Sequence, residues 1–267
     1  MKSPSKIAWH GRNLLNFTIA CARIFFYCLC HPRQAGKLAF PFFSLINEFY
    51  QSSHGKLLPF EETQTFRALK ERPLFAQTSY FHCDPQVMRP VESQVLAALT
   101  THFAPRTVFE IGTYSGLTAL NFAYNSPAEA RIYTLDLPET PSDIVKYSYD
   151  DHLVVQLSRE NVHKRAFKDH AMEPKITELF GNSMHFDFSP YYGRIDLVFI
   201  DGSHAGPYVA SDTANAFKML SPNGVIVWHD FDYIIHRDVF KYLNNLSKEH
   251  RIYSIPHTRF AIYGRNL

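Results

Sequence analysis

The sequence predicts an α/β fold built on a doubly wound, mostly parallel sheet of seven strands with one antiparallel terminal strand. Short apolar runs alternate with segments of helical spacing, as in sheets covered by helices on both faces. One run, RIDLVFI at 194–200, is apolar enough for a strand buried on both faces. The last two runs are joined by three residues, which is too short for a parallel crossover, so they must pair antiparallel.

The elements become regular from residue 86 onward. Val87, Val91, Val95, Leu99 and Phe103 recur at helical spacing and predict a helix over 86–103. Residues 137–150 show no period and predict a loop or lid. The other predicted helices lie over 115–125 and 151–167 and near 209–220 and 239–246, and the predicted strands over 106–111, 131–136, 175–180, 194–200, 224–228, 251–255 and 259–264. The charged run 159–168 is expected to be a solvated helix face.

Composition and charge divide the chain into two parts. The chain has 267 residues, of which 46% are hydrophobic and 19% charged, which excludes a disordered protein. Residues 1–60 contain seven Lys or Arg and one acid, Glu48, whereas the remainder carries a net charge of −4. We therefore expect a basic, apolar N-terminal extension over 1–60 and the main domain over 61–267. Nothing in the acidic main domain predicts binding to nucleic acid.

The apolar segment 14–30 has three open interpretations. It can be a helix buried against the main domain or against a second subunit, which would make the protein a homodimer. It can be an in-plane membrane anchor, with residues 12–46 in peripheral contact with anionic lipid. A true span or signal peptide is disfavoured by Arg23 and by the length of the segment. The four Cys show no zinc or disulfide spacing, so a cytoplasmic protein, with or without membrane contact, is expected.

Polar side chains follow every strand of the predicted parallel sheet. In such sheets the ligand site lies beyond the carboxyl ends of the strands. Gly112 and Gly116 bracket a tight turn after the first strand, and Asp136 ends the second, where its carboxylate can accept both hydroxyls of a ribose. Tyr114 stands where a dinucleotide site requires a second glycine, so the pattern favours an adenosine-type ligand over NAD or FAD.

The motifs resemble those of class I S-adenosylmethionine-dependent methyltransferases. VFEIGTYSGLTAL at 108–120 is similar to the first motif of catechol- and caffeoyl-CoA-type O-methyltransferases, and LVFIDGSH (197–204) and GVIVWHDF (224–231) look like the fourth- and fifth-strand motifs of the superfamily. The resemblance covers about residues 86–264 and implies S-adenosylmethionine as the methyl donor. It indicates nothing about residues 1–80.

The resemblance also implies roles for single residues. Glu110 would lie near the amino-acid end of the cofactor, where its charge suits the ammonium and the sulfonium. The loop residues would line that end, and Asp136 would hold the ribose. Asn182 and Ser183 stand where the family often contacts adenine, and the Asn182 amide can both donate and accept a hydrogen bond. The loop residues are Gly112, Thr113, Tyr114, Ser115 and Gly116.

The catalytic face leaves alternatives open. Metal-dependent members of the family place an Asp after the fourth strand and an Asp-Asn pair after the fifth, where this chain has Asp201, His229 and Asp230. These three can ligate a divalent metal. His204 stands at the family's catalytic lysine and can act as a base without a metal. His229 and Asp230 reach one site only if the strand ends before them, because successive strand residues point to opposite faces.

Together these features predict methyl transfer to a small-molecule acceptor, with a hydroxyl oxygen as the methylated atom. Catalysis would depend on His204, Asp201 and His229. Two rival functions stay open: a scaffold or membrane-associated binding protein that retains the fold without catalysis, and a nicotinamide-dependent oxidoreductase.

Overall fold

The computed structural model describes residues 55–71, 88–137 and 164–267, and in the N-terminal segment the separate helical positions Ile19, Ala22, Phe25, Phe26 and Cys30. The chain forms two compact units, Met1–Ser53 and His54–Leu267. The second unit thus begins seven residues before the predicted boundary at residue 61. Within the described residues, no helix has the length and apolarity needed to cross a membrane.

The second unit contains one eight-stranded sheet in the order β1-β7-β8-β6-β5-β2-β3-β4. Strand β8 pairs antiparallel with both β6 and β7, and all other pairs are parallel, which confirms the predicted sheet. The eighth strand is a two-residue edge strand, too short to show a sequence pattern. The strands are β1 Leu58–Pro59, β2 Thr107–Ile111, β3 Arg131–Asp136, β4 Ile176–Phe180, β5 Ile195–Ile200, β6 Leu220–Trp228, β7 Ile252–Ser254 and β8 Ala261–Gly264.

The described helices are α1 Gln64–Glu71, α2 Pro90–Phe103, α3 Leu117–Asn125, α4 Gly206–Met219 and α5 Arg237–Leu246. Helix α2 starts at Pro90 because Arg89 is extended (φ −59°, ψ 148°) and proline is suited to the first helical position. Glu92 accepts a hydrogen bond from the Arg89 N–H at 3.0 Å and so closes the first turn. Residues 86 and 87 of the predicted helix lie outside the described residues.

Apolar side chains fill both faces of the sheet, as the doubly wound prediction requires. Alternate residues of each strand enter opposite cores, since side chains alternate across a strand. Val108 and Phe199 lie in the core beneath α2 and α3, whereas Phe109 and Ile200 lie in the core beneath α4 and α5.

The structure corrects one predicted element. Most of the predicted helix 151–167 lies outside the described residues, but its C-terminal end does not form a helix: residues 166–169 form a turn. The predicted solvated face is also wrong at Arg165, which is 2% exposed. Its guanidinium pairs with carboxylates on two strands, which keeps the side chain inside the protein.

Backbone hydrogen bonds place four strand-end loops side by side. The N–H groups of Gly112, Asp201 and His229 donate to the carbonyls of the neighbouring strands at 2.8, 2.9 and 3.0 Å. The loops that follow β3, β2, β5 and β6 therefore meet at one edge of the sheet.

The two glycines of the loop after β2 are required by packing within the protein. Gly112 has φ +103°, and a Cβ there would lie 2.1 Å from the Asp201 carbonyl oxygen. Gly116 has φ +75°, and its Cβ would lie 2.7 Å from the Phe167 ring. The first glycine thus lets two strand-end loops touch, and the second lets the 164–169 turn lie against the helix start.

We predict that Gly112→Ala destabilises the domain by about 3 kcal/mol or more, because left-handed strain and a backbone clash add together. Gly193→Ala is the matched control: Gly193 also has positive φ, +70°, but no atom of the residues that the structure describes lies within 4 Å of its Cβ position. It should cost only about 1 kcal/mol of strain. Urea unfolding of both variants measures the difference. Equal destabilisation would show that the Asp201 contact does not require glycine.

Candidate functional site

Asp136 lies at the end of β3 beside the glycine loop, as predicted. Its Oδ2 accepts hydrogen bonds from the Tyr114 N–H at 3.0 Å and from Arg165 Nη2 at 2.8 Å. Its Oδ1 accepts one from the Leu137 N–H at 2.8 Å. Because three donors from three segments hold it, this carboxylate has a fixed orientation at the sheet edge.

Arg165 is a site residue that the sequence did not reveal. Besides Asp136, its Nε donates to Glu178 Oε1 at 3.1 Å. The Ala166 N–H donates to the Ser115 carbonyl at 2.8 Å, which fastens the 164–169 turn to the glycine loop. The only sequence signal was an arginine within a charged run, and such runs are usually solvated.

Glu110 has no exposed surface. Its Oε2 accepts a hydrogen bond from the Thr134 hydroxyl at 2.5 Å, and Thr134 is in turn 2.6 Å from the Thr113 hydroxyl. Burial raises the pKa of Glu110 well above its usual range, and its Oε1 has no hydrogen-bond partner among the described residues. A chain of hydroxyls therefore connects this carboxyl to the glycine loop.

The loop after β4 lies next to Asp136, because the Gly181 N–H donates to the Asp136 carbonyl at 2.9 Å. Asn182 Oδ1 accepts a hydrogen bond from the Met184 N–H at 3.0 Å, so the side chain stabilises its own turn. Ser183 lies near the buried Asp212 of α4. Burial raises the pKa of Asp212 to about 7, and Ser183 opposes that shift.

Asp201, His229 and Asp230 come together as predicted, with one potential ligand atom from each within 4.8 Å of the others. His229 Nδ1 lies 2.9 Å from Asp201 Oδ1 and 3.3 Å from Asp230 Oδ2. Both residues of the pair reach the cluster because β6 ends at Trp228 and Asp230 adopts φ +56°. The break in the strand thus removes the alternation that would have separated them.

His204 joins the same cluster through Asp230. Its Nε2 lies 2.8 Å from Asp230 Oδ2, and its ring centroid lies 4.2 Å from that of His236. Burial lowers the pKa of His236 to about 4, so this imidazole is neutral near pH 7. A histidine beside a carboxylate has the arrangement of an oriented general base.

Two further members of the cluster, Glu92 and Arg259, were not predicted. Glu92 is fully buried, and its carboxylate receives Arg89 Nη2 at 2.7 Å and the Arg259 N–H at 2.8 Å, with His229 Nε2 at 3.3 Å. Arg259 Nη1 lies 2.7 Å from Asp230 Oδ1. Neither residue is in a strand-end loop of the parallel sheet, where the sequence predicts the ligand site.

Opposite charges maintain the ionised forms of this cluster despite burial. Desolvation opposes the charge of Glu92, but His229 and Arg259 hold its pKa well below the usual range. Desolvation likewise opposes a charged His229, yet Asp230 and Asp201 raise its pKa well above the usual value. For Asp230, the charges of His229 and Arg259 overcome desolvation and lower the pKa. The cluster is therefore a network of paired charges.

These contacts do not fit a metal at Asp201, His229 and Asp230. Both ring nitrogens of His229 lie against carboxylates, and an ionised carboxylate can only accept hydrogen bonds, so both nitrogens carry hydrogen and lack a lone pair for a metal. Arg259 already neutralises Asp230. The second donor set among the described residues, His204, Asp230 and His236, includes the same neutralised carboxylate.

Comparison with known proteins gives one family match within the second unit. Residues 109–231 match the family model described as a methyltransferase domain. No curated protein matches the chain.

Two solved structures are similar in fold. The S-adenosylhomocysteine-bound methyltransferase PaMTH1 of Podospora anserina is 19% identical, with 79% of this chain and 99% of that chain covered and a TM-score of 0.51. A proposed O-methyltransferase from Klebsiella pneumoniae is 16% identical, with 84% and 98% covered and a TM-score of 0.50. At these identities the likeness establishes the fold alone.

We predict that Asp212 makes the domain less stable as the pH rises. Its pKa is about 7 in the folded state against 3.8 for an ordinary Asp, so the folded protein binds more protons between pH 4 and 7. Stability is lost across that window, by about 4 kcal/mol at most. Asp212→Asn should remove this slope. Urea unfolding of wild type and variant from pH 4 to 8 measures it, and a stability difference independent of pH would contradict the prediction.

Proposed function

We propose that this chain is a class I S-adenosylmethionine-dependent methyltransferase and that it transfers a methyl group to a hydroxyl oxygen of a small molecule; the match of residues 109–231 to a methyltransferase family model supports this. The observation that carries the proposal is the juxtaposition, at one sheet edge, of the Asp136–glycine loop and the His204–Asp230 pair. The first suits an adenosine-type ligand, and the second suits removal of a hydroxyl proton.

The residues around the glycine loop fit the cofactor. Asp136, held by three hydrogen bonds beside the glycine loop, would accept the ribose hydroxyls. Glu110 would act behind the loop as a buried hydrogen-bonding group and not as a charge, because burial raises its pKa well above the usual range. Asn182 and Ser183 would lie at the adenine, beside Asp136. When bound, S-adenosylmethionine supplies an electrophilic methyl group on a sulfonium. The chain's own task is to hold the acceptor in line with that methyl.

His204 is the group that we assign to remove the acceptor proton. An ionised Asp230 accepts hydrogen bonds only, so the 2.8 Å contact places the hydrogen of a neutral His204 on Nε2. Its Nδ1 is then the basic nitrogen. Asp230 also stabilises the imidazolium that forms when Nδ1 takes the proton, which is the usual effect of a carboxylate behind a histidine base.

Calorimetric titration with S-adenosylhomocysteine tests the proposal. We expect a Kd of about 10 μM or lower for the wild type. Asp136→Asn should weaken binding about tenfold or more, because hydrogen bonds to the charged carboxylate are lost. Glu129→Gln is the control, since this side chain is 64% exposed at the opposite end of the sheet, before β3. Absence of binding by the wild type would refute the proposed function and leave the scaffold alternative.

We also propose that the N-terminal unit contacts anionic membrane surfaces. Ile19, Phe25 and Phe26 are helical and 42%, 61% and 65% exposed, within a segment whose net charge over residues 1–60 is +6. Exposed aromatic side chains together with basic residues are typical of helices that lie in the membrane interface.

Flotation with phosphatidylserine vesicles tests this contact. The full chain should float, and Phe25→Ser/Phe26→Ser should weaken binding at least about tenfold, because each buried Phe contributes about 1.5–3 kcal/mol. Phe180→Ser, at a 48% exposed phenylalanine of the sheet, is the control. Undiminished flotation of the double variant would contradict the proposal, and concentration-dependent dimerisation of the wild type that this variant loses would favour contact with a second copy.

A further inference from the structure

We propose that Arg259 supplies, within the buried cluster, the positive charge that a divalent ion supplies in metal-dependent O-methyltransferases, so that this chain works without such an ion. The inference rests on the proposed function, because it concerns the acceptor side of the proposed site. It makes Arg259 a positioning residue, which acts on the base through Asp230.

The position of Arg259 carries the argument. Both donor sets that could hold a metal among the described residues share Asp230, and Arg259 Nη1 lies 2.7 Å from that carboxylate. An arginine cannot be deprotonated in proteins, so the cation is permanent. A divalent ion ligated by Asp230 would lie beside a fixed like charge.

Contacts of both the backbone and the side chain hold Arg259 in place. Its backbone N–H donates to Glu92 at 2.8 Å, and its guanidinium lies 3.4 Å from the same carboxylate. Its carbonyl accepts a hydrogen bond from the Phe231 N–H at 2.9 Å, which holds the loop that carries His229 and Asp230. The side chain is 13% exposed. Main chain and side chain thus fix the cation against two carboxylates from different parts of the fold.

The charges of six residues in the cluster balance without a metal. Glu92, Asp201 and Asp230 supply three negative charges. Arg89 and Arg259 supply two positive charges, and His229, which bridges Asp201 and Glu92 through its two nitrogens, supplies the third. Without Arg259, one buried carboxylate would lack a compensating positive charge, so the binding of another cation would become favourable.

Titration with Mn²⁺ followed by electron paramagnetic resonance tests this inference on the full chain. We expect the wild type to show no binding with a Kd below about 1 mM. Arg259→Gln should gain a Mn²⁺ site at least about tenfold tighter than any site of the wild type. Arg259→Lys, which retains the charge, should gain none. The Arg259→Gln/Asp230→Asn double variant should lose the gained site, because it lacks the shared ligand.

Micromolar Mn²⁺ binding by the wild type would overturn the inference, as would a folded Arg259→Gln that binds no Mn²⁺. If Arg259→Gln does not fold, the inference is tested on the wild type alone. Absence of Mn²⁺ binding, together with an S-adenosylhomocysteine affinity that a chelator does not change, would then support the inference. Failure of the proposed function would appear separately, as absence of S-adenosylhomocysteine binding in any buffer.

Discussion

Glu92 bears a negative charge with no exposed surface, and the geometry of the acceptor side depends on how that charge is compensated. The carboxylate stands in the first turn of α2 and contacts Arg89, His229 and Arg259. These contacts connect a helix of one core, the loop after β6 and the connection between β7 and β8. Since an isolated charge would be strongly unfavourable in such a place, these three segments must stay together.

On the cofactor side, too, an arginine is paired with carboxylates from different segments. Arg165 is the buried cation there, and Asp136 and Glu178 on adjacent strands are its partners. The turn that carries Arg165 packs its Phe167 against Gly116. In both halves of the candidate site, an arginine with little or no exposed surface holds a carboxylate of the site, so the positions of these carboxylates do not depend on a ligand.

The sequence predicted those features that depend on neighbouring residues or on where the parallel strands end. Strand β3 has the predicted bounds 131–136, and Asp201, His229 and Asp230 converge because parallel strands end at one edge. The long-range ion pairs had no such pattern. Arg259 and Glu92 are 167 residues apart, and Arg165 and Asp136 are 29 apart. A single charged residue carries no periodicity, so its partner can be found only in three dimensions.

Trp228 ends β6 directly before His229, is 1% exposed, and donates a hydrogen bond from its indole nitrogen to Thr213 at 3.0 Å. The chain contains only one other tryptophan, Trp9, which belongs to the N-terminal unit. In a Trp9→Phe chain, all indole emission would therefore come from the residue next to the charged cluster. The fluorescence of Trp228 would then report on the acceptor side, because the neighbouring His229 imidazolium can quench it and changes in the cluster can be followed in real time.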